Sequence, residues 1–202
     1  MSTGGYPLAY DIFEGNKYEG ETMLPIIDAF KIRYKFDQIT IVADAGLLSH
    51  KNIQSLEERG YHYSLGARIK NEKASIKNEI LSLKLGIGQS RVITKNDNTK
   101  LIISYSEQRA KKDRHNRLRG LQRLEKQLKA GKLTKSSINN RGYNKYLKMT
   151  GEVSLELDSD KITSDSQWDG LKGYQTNTRL SADQIIENYQ HLWQIEKTFY
   201  AK

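Results

Sequence analysis

The chain has 202 residues, 37% of them hydrophobic, no cysteine, and a formal net charge of +9 at pH 7. That length holds one core with room for an insertion, and the lack of cysteine excludes disulfides and thiolate metal sites. A mean hydropathy of -0.73, no apolar run long enough to span a bilayer and a first segment, MSTGGYPLAY, with neither region of a secretory signal lead to the expectation of a cytoplasmic protein. The positive charge suits a polyanionic partner.

In chain order, residues 7–13 read as a strand and 22–36 as a helix with Pro25 in its first turn. Residues 38–47, QITIVADAGL, then place a short apolar run before Asp44 and a turn at Ala45-Gly46. A strand covered on both faces reads this way, and the crevice outside the carboxyl ends of such strands is where ligands and catalytic groups gather. An Asp after a strand can equally be a turn former or the cap of the next helix. A helix over 49–59, stopped by Gly60, and a strand over 61–67 complete the first part.

From 68 to 166 the pattern changes. Residues 91–94 and 101–105 flank KNDNTK, a hairpin signal; 134–143 form a polar link, and 153–157 alternate as another strand. Between them, residues 107–132 hold ten Lys or Arg against three Asp or Glu, a net of +7. Leu118, Leu121, Leu124 and Leu128 mark an apolar stripe on a helix whose remainder is basic. Arg109, Lys111, Lys112, Arg114, Arg117 and Arg119 suit a helix that tracks phosphates. A solvated face of a helix packed on its own domain, or a heptad-based partner helix, are the other readings.

Residues 170–176 return as a strand, and 181–200 as a helix opened by a capping box of Ser181 and Gln184. Ile185, Tyr189, Leu192 and Phe199 lie on one stripe, and Glu196 shares it. An inward carboxylate is costly unless it is paired or binds a metal; a rim Glu neutralised by a nearby cation is the plain alternative. Two inward-leaning carboxylates, Asp44 and Glu196, suggest a two-metal site for phosphoryl transfer.

Five blocks occur in order: GYPLAYDIFEGNKYEGET (5–22), IVADAGLLSHKNI (41–53), GYHYSLGARIK (60–70), WDGLKGYQTNT (168–178) and ENYQHLWQIEKTF (187–199). Together they resemble bacterial insertion-sequence transposases of the DDE (Asp-Asp-Glu) branch. The resemblance implies an α/β fold with a ribonuclease H-like mixed sheet and flanking helices. Its core would comprise 1–67 and 167–202, interrupted over 68–166 by a mainly β insertion that contains the basic helix. By the same resemblance Asp44 is the second Asp of the triad and Glu196 its Glu, together with a missing Asp holding two Mg²⁺ (or Mn²⁺) ions about 3.5–4 Å apart. Tyr189 and Lys197 would position the DNA backbone, and double-stranded DNA of transposon ends and target would be the partner of a full-length homodimer.

The departures from the family pattern shape the expectation. No residue matches the first Asp, and Asp11 lies in the wrong block. Leu192 stands where many relatives have Arg, and the chain stops at Lys202 before the expected Lys. The expectation is therefore a transposase fragment cut at both ends and inactive by itself. A non-catalytic DNA-binding or transposition-interfering remnant is the alternative, and a module for structured RNA is the remaining class.

Overall fold

The computed structural model describes Ile12, Glu14 and residues 19–46, 49–151 and 154–193. These divide into two compact units, one made of residues up to 77, 89–104 and those from 172 onward, the other of 78–88 and 105–171. The strand expected over 7–13 lies outside the described residues, Ile12 excepted.

The first unit is built on a mixed five-stranded sheet. Its strands are β1 (Thr40–Ala43), β2 (His62–Ala67), β3 (Ser90–Thr94), β4 (Lys100–Tyr105) and β7 (Leu171–Thr176), in the order β1-β2-β7-β4-β3. β1 and β2 run parallel, so a crossover must join them. α2 (His50–Glu58) supplies it. β7 returns antiparallel to β2, and β3 and β4 form an antiparallel hairpin. With α1 (Glu19–Tyr34), α2 and α6 (Ala182–Gln190), this mixed sheet is compatible with a ribonuclease H-like architecture.

Local chemistry sets the boundaries of α2. Ser49 caps it by accepting the Asn52 N–H at 3.0 Å. At the other end Gly60 takes φ 69°, its N–H bonds the Glu57 carbonyl, and Tyr61 N–H reaches back to Leu56. That is the Schellman arrangement, which satisfies carbonyls otherwise left over at a helix end. Leu56, Tyr63 and Leu65 are fully buried with Met23 and Ile27 of α1 and Ala43 of β1. Asp28 of α1 accepts the Tyr61 hydroxyl at 2.7 Å and pairs with Arg59. Those contacts hold its carboxyl below the usual range, the Tyr61 bond contributing most.

α1 begins at Glu19, three residues earlier than expected, which puts the exposed Pro25 inside the helix. A proline there deletes a donor and crowds the preceding turn. Burial of Met23 and Ile27 to either side offsets that cost.

The hairpin lies in the sheet, whereas the sequence reading grouped it with the 68–166 insertion. Leu101, Ile102 and Ile103 are consecutive and fully buried, which requires cover on both faces of β4. The compact units therefore divide the chain differently from boundaries at 67/68 and 166/167.

The second unit carries the basic helix, α4 (Glu107–Lys129), capped by Ser106. Leu124 is buried with Tyr146 and Leu147, and Leu121, Leu128, Leu157 and Ile162 pack around them. Leu118, expected on the same stripe, is 50% exposed. A ring rather than an aliphatic chain covers the next turn: a Cβ on buried Gly120 would sit 2.2 Å from Tyr143. β5 (Leu147–Thr150) pairs antiparallel with β6 (Ser154–Leu157), and α5 (Ser159–Ser166) follows. β6 was expected; β5, α5 and α3 (Ala74–Ser82) were not.

Arg117 was expected to face phosphates. Instead its guanidinium grips Asp169 through two bonds of 2.5 and 2.6 Å, with both side chains mostly buried. Asp113 accepts the adjoining Gly170 N–H at 3.2 Å. Gly170 has φ 80°, and a Cβ there would meet Tyr105, Ser106 and Ala110 at 2.6–2.9 Å. Arg117→Leu should strand the Asp169 charge and lower unfolding free energy by about 3 kcal/mol in chemical denaturation. Arg117→Leu/Asp169→Leu should recover most of that loss, because no uncompensated charge remains.

Burial pushes the Tyr63 phenol up to about 12, and its 2.7 Å bond to Glu57 acts in the same direction. A raised folded-state value favours folding fully below the unfolded pKa of about 10, and that contribution fades as pH rises from there through the folded value. Tyr146, buried and bonded to Asp165, shifts the same way. Denaturation midpoints should therefore fall on going from about pH 9 to about pH 11.5, and the gap between wild type and Tyr63→Phe should narrow over that window.

Candidate active site

β1 ends at Ala43, and Asp44 stands next at its carboxyl end, exposed. Its Oδ1 accepts the Gly46 N–H at 2.7 Å. This is the turn-forming role that the sequence left open. It does not compete with metal binding, because an ionised carboxylate offers about four lone-pair sites and the turn occupies one. Holding Oδ1 in the turn also limits the directions in which Oδ2 can present itself.

α6 reaches this end of the sheet by packing against β1, β2 and β3. It opens with the expected capping box: Ser181 accepts the Gln184 N–H at 3.3 Å and Gln184 accepts the Ser181 N–H at 3.0 Å. Ile185, fully buried with Ile102 and Tyr174, fixes its inward face. One turn on, Tyr189 meets Tyr174 edge-on at 4.9 Å between centroids.

Gly66 explains how Tyr189 approaches Asp44. A Cβ built on it would lie 2.6 Å from the Tyr189 hydroxyl and 3.0 Å from the backbone nitrogen of Ala45. Only a residue without a side chain lets the phenol and the Asp44 turn converge there. Lys172 joins them: its Nζ sits 4.1 Å from the centre of the Tyr189 ring and 5.3 Å from that of Tyr174. A cation over a ring face is attracted by the ring quadrupole. The end of the sheet thus gathers a carboxylate, a phenol and an ammonium. A cleft of about 660 Å³ lies at the opposite end, lined by Tyr61, His62, Lys100 and Arg179 among others.

Of the site residues expected from sequence, Asp44 and Tyr189 come together as described. Glu196 and Lys197 lie outside the described residues. Arg109, Lys111, Lys112 and Arg114 are exposed on α4 in the second unit. Two of them are engaged along the helix, Arg109 with Asp113 at 3.6 Å and Lys111 with Glu107 at 3.0 Å. Sequence reasoning missed Gly66 and Lys172. A glycine inside an apolar strand is a signal of close backbone approach, but what approaches is set by a helix more than a hundred residues away in the chain.

Among the described residues no group of three or more His, Cys, Asp or Glu could hold a metal ion. Asp44 by itself fits one place in the shell of a hard cation, which takes oxygen donors and keeps several waters. Among the described residues no helix is long and apolar enough to cross a membrane.

A mixed α/β sheet with a carboxylate at a strand end and a helix bringing polar groups to it is compatible with a ribonuclease H-like fold. The family model for the transposase DDE domain matches residues 1–201, and the chain belongs to that family. No curated protein and no solved structure matches it. Membership ties the chain to transposition and to DNA, and domains of this family generally use divalent metal ions.

Gly66→Ala should crowd both Tyr189 and Ala45 and destabilise the first unit by about 1–3 kcal/mol, read by urea denaturation. Tyr189→Phe in that background should return part of the loss, since it removes the nearer of the two obstructing atoms.

Proposed function

We propose that this chain contributes to a DNA cleavage and strand-transfer site in which Asp44 and Glu196 are metal-binding carboxylates. The observation that carries the reading is the convergence of Asp44, Tyr189 and Lys172 at one end of the sheet. Carboxylates for cations, with a phenol and an ammonium for phosphate oxygens, are the complement that a phosphodiester requires. Mg²⁺ or Mn²⁺ bound there would supply Lewis-acid activation of the phosphodiester and of its nucleophile.

The chain's own groups have separate parts. Asp44 offers Oδ2 to a cation while the turn holds Oδ1. Glu196, seven residues after Tyr189 in the sequence, offers a second carboxylate. The Tyr189 hydroxyl can donate to a phosphate oxygen, and Lys172 and Lys197 add positive charge to hold the backbone in place. In cleavage, water attacks phosphorus in line, the bond from phosphorus to the 3′ oxygen breaks, and that oxygen leaves as a 3′-hydroxyl. In strand transfer such a 3′-hydroxyl is the attacking group at a target phosphodiester. A basic face of α4 that includes Lys112 holds duplex DNA through its phosphates. The protein acts as a homodimer in the cytoplasm, where element ends and target DNA are both available.

Mn²⁺ titration monitored by electron paramagnetic resonance tests the carboxylate assignment without requiring turnover. Asp44→Asn and Glu196→Gln should each weaken Mn²⁺ binding at least tenfold, with thermal stability unchanged. Wild-type affinity in both variants would overturn the assignment and leave the chain as a non-catalytic DNA-binding remnant.

A further inference from the structure

α4 has two opposed faces, and only one of them is occupied by the second unit. Leu121, Leu124 and Leu128 form the packed side. At 3.6 residues per turn, the side diametrically opposite carries Lys112, Arg119, Arg123 and Lys126. The spacings of seven, four and three keep these four within about 60° of one another around the helix axis. All four are exposed. Among the described residues none of them pairs with a carboxylate.

The acids of α4 are arranged to leave this stripe alone. Glu107, Asp113 and Glu125 all project away from it, towards the borders of the packed side. Asp113 and Glu107 serve Arg109 and Lys111 there. Arg117, five residues beyond Lys112, is turned towards the packed side and committed to Asp169. Arg109, Lys111 and Arg117 thus have acid partners along the helix or in the fold, and among the described residues the outer stripe has none.

We propose that the outer stripe of α4, Lys112, Arg119, Arg123 and Lys126, is the surface that tracks the phosphates of duplex DNA. The proposal deepens the reading above and rests on it for the choice of DNA as the polyanion. The stripe is about 21 Å long at 1.5 Å per residue, enough to follow several successive phosphates of one strand. Its residues are long, flexible cations, and the opposite side of the helix is packed against β5, β6 and α5. A helix anchored in this way meets the backbone rather than entering a groove to read bases, so binding is independent of sequence.

The test is fluorescence anisotropy on the whole chain with two duplexes of unrelated sequence, across a salt series. The stripe variant is Lys112→Gln, Arg119→Gln, Arg123→Gln and Lys126→Gln. The control is Arg109→Gln, Lys111→Gln and Arg114→Gln. Gln retains helix propensity close to that of Lys and Arg, and circular dichroism confirms that both variants fold. Log affinity should fall linearly with log salt on both duplexes, by about 0.9 per phosphate contacted. The stripe variant should flatten that slope by about three to four units, and the control by less than half as much.

An unchanged slope in the stripe variant overturns the proposal, as does an equal loss in the control. Absence of duplex binding by the wild type overturns it too, while the Mn²⁺ titration still decides the carboxylate assignment by itself.

Discussion

The pairing of β2 with β7 is the constraint on which the first unit depends. Thr176 donates its hydroxyl to the Tyr63 carbonyl at 2.6 Å, across 113 residues of chain. Asn177 extends the junction past the end of the strand, donating to the Tyr61 carbonyl and accepting the Tyr63 N–H. Until this junction forms, β1 and β2 have no partner on the β7 side and α6 has no surface to lie on. Contacts between such distant segments must meet the entropy of closing a long loop before they stabilise anything. Formation of the Asp44 end of the sheet therefore waits on the chain's return from residue 171.

That dependence separates what the sequence discloses from what it does not. Both ends of α2 and the start of α6 were legible, because Ser49, Gly60 and the Ser181–Gln184 pair act within a few residues of their own helix, whereas α6 closes at Gln190 and not near residue 200. β1 and β2 were legible as apolar runs. The β3–β4 hairpin was legible as a hairpin, yet its place in the sheet was not, since that is decided by burial of Leu101 to Ile103 against distant segments. α5 was hidden by composition: in SDKITSDS a single apolar residue, Ile162, faces the core. Arg117 reads as one cation among many until Asp169, 52 residues away, is brought to it.

The candidate site divides along the same line. Asp44 was visible because its neighbours, an apolar run and a turn, are local. Tyr189 was visible through helical spacing and family resemblance. Lys172 and Gly66 were not, because their significance is relational. Lys172 matters through the two rings beneath it, and Gly66 through the space that it leaves. The turn bond from Gly46 also shows that the structural and chemical readings of Asp44 are compatible. A carboxylate already restrained by one backbone N–H loses less freedom when a cation engages its other oxygen.

The bond between Ser106 N–H and the Gly170 carbonyl, 3.0 Å long, has a consequence of another kind. Ser106 follows β4 and Gly170 precedes β7, and these two strands are neighbours in the sheet. The excursion through α4, β5, β6 and α5 therefore leaves and re-enters at points that this hydrogen bond joins. A segment with its ends held together can change length or content without pulling on the strands that flank it, because the separation it must span is already closed. Natural variation can then reshape the inserted segment, its cationic helix included, while the sheet and its carboxylate end keep their geometry.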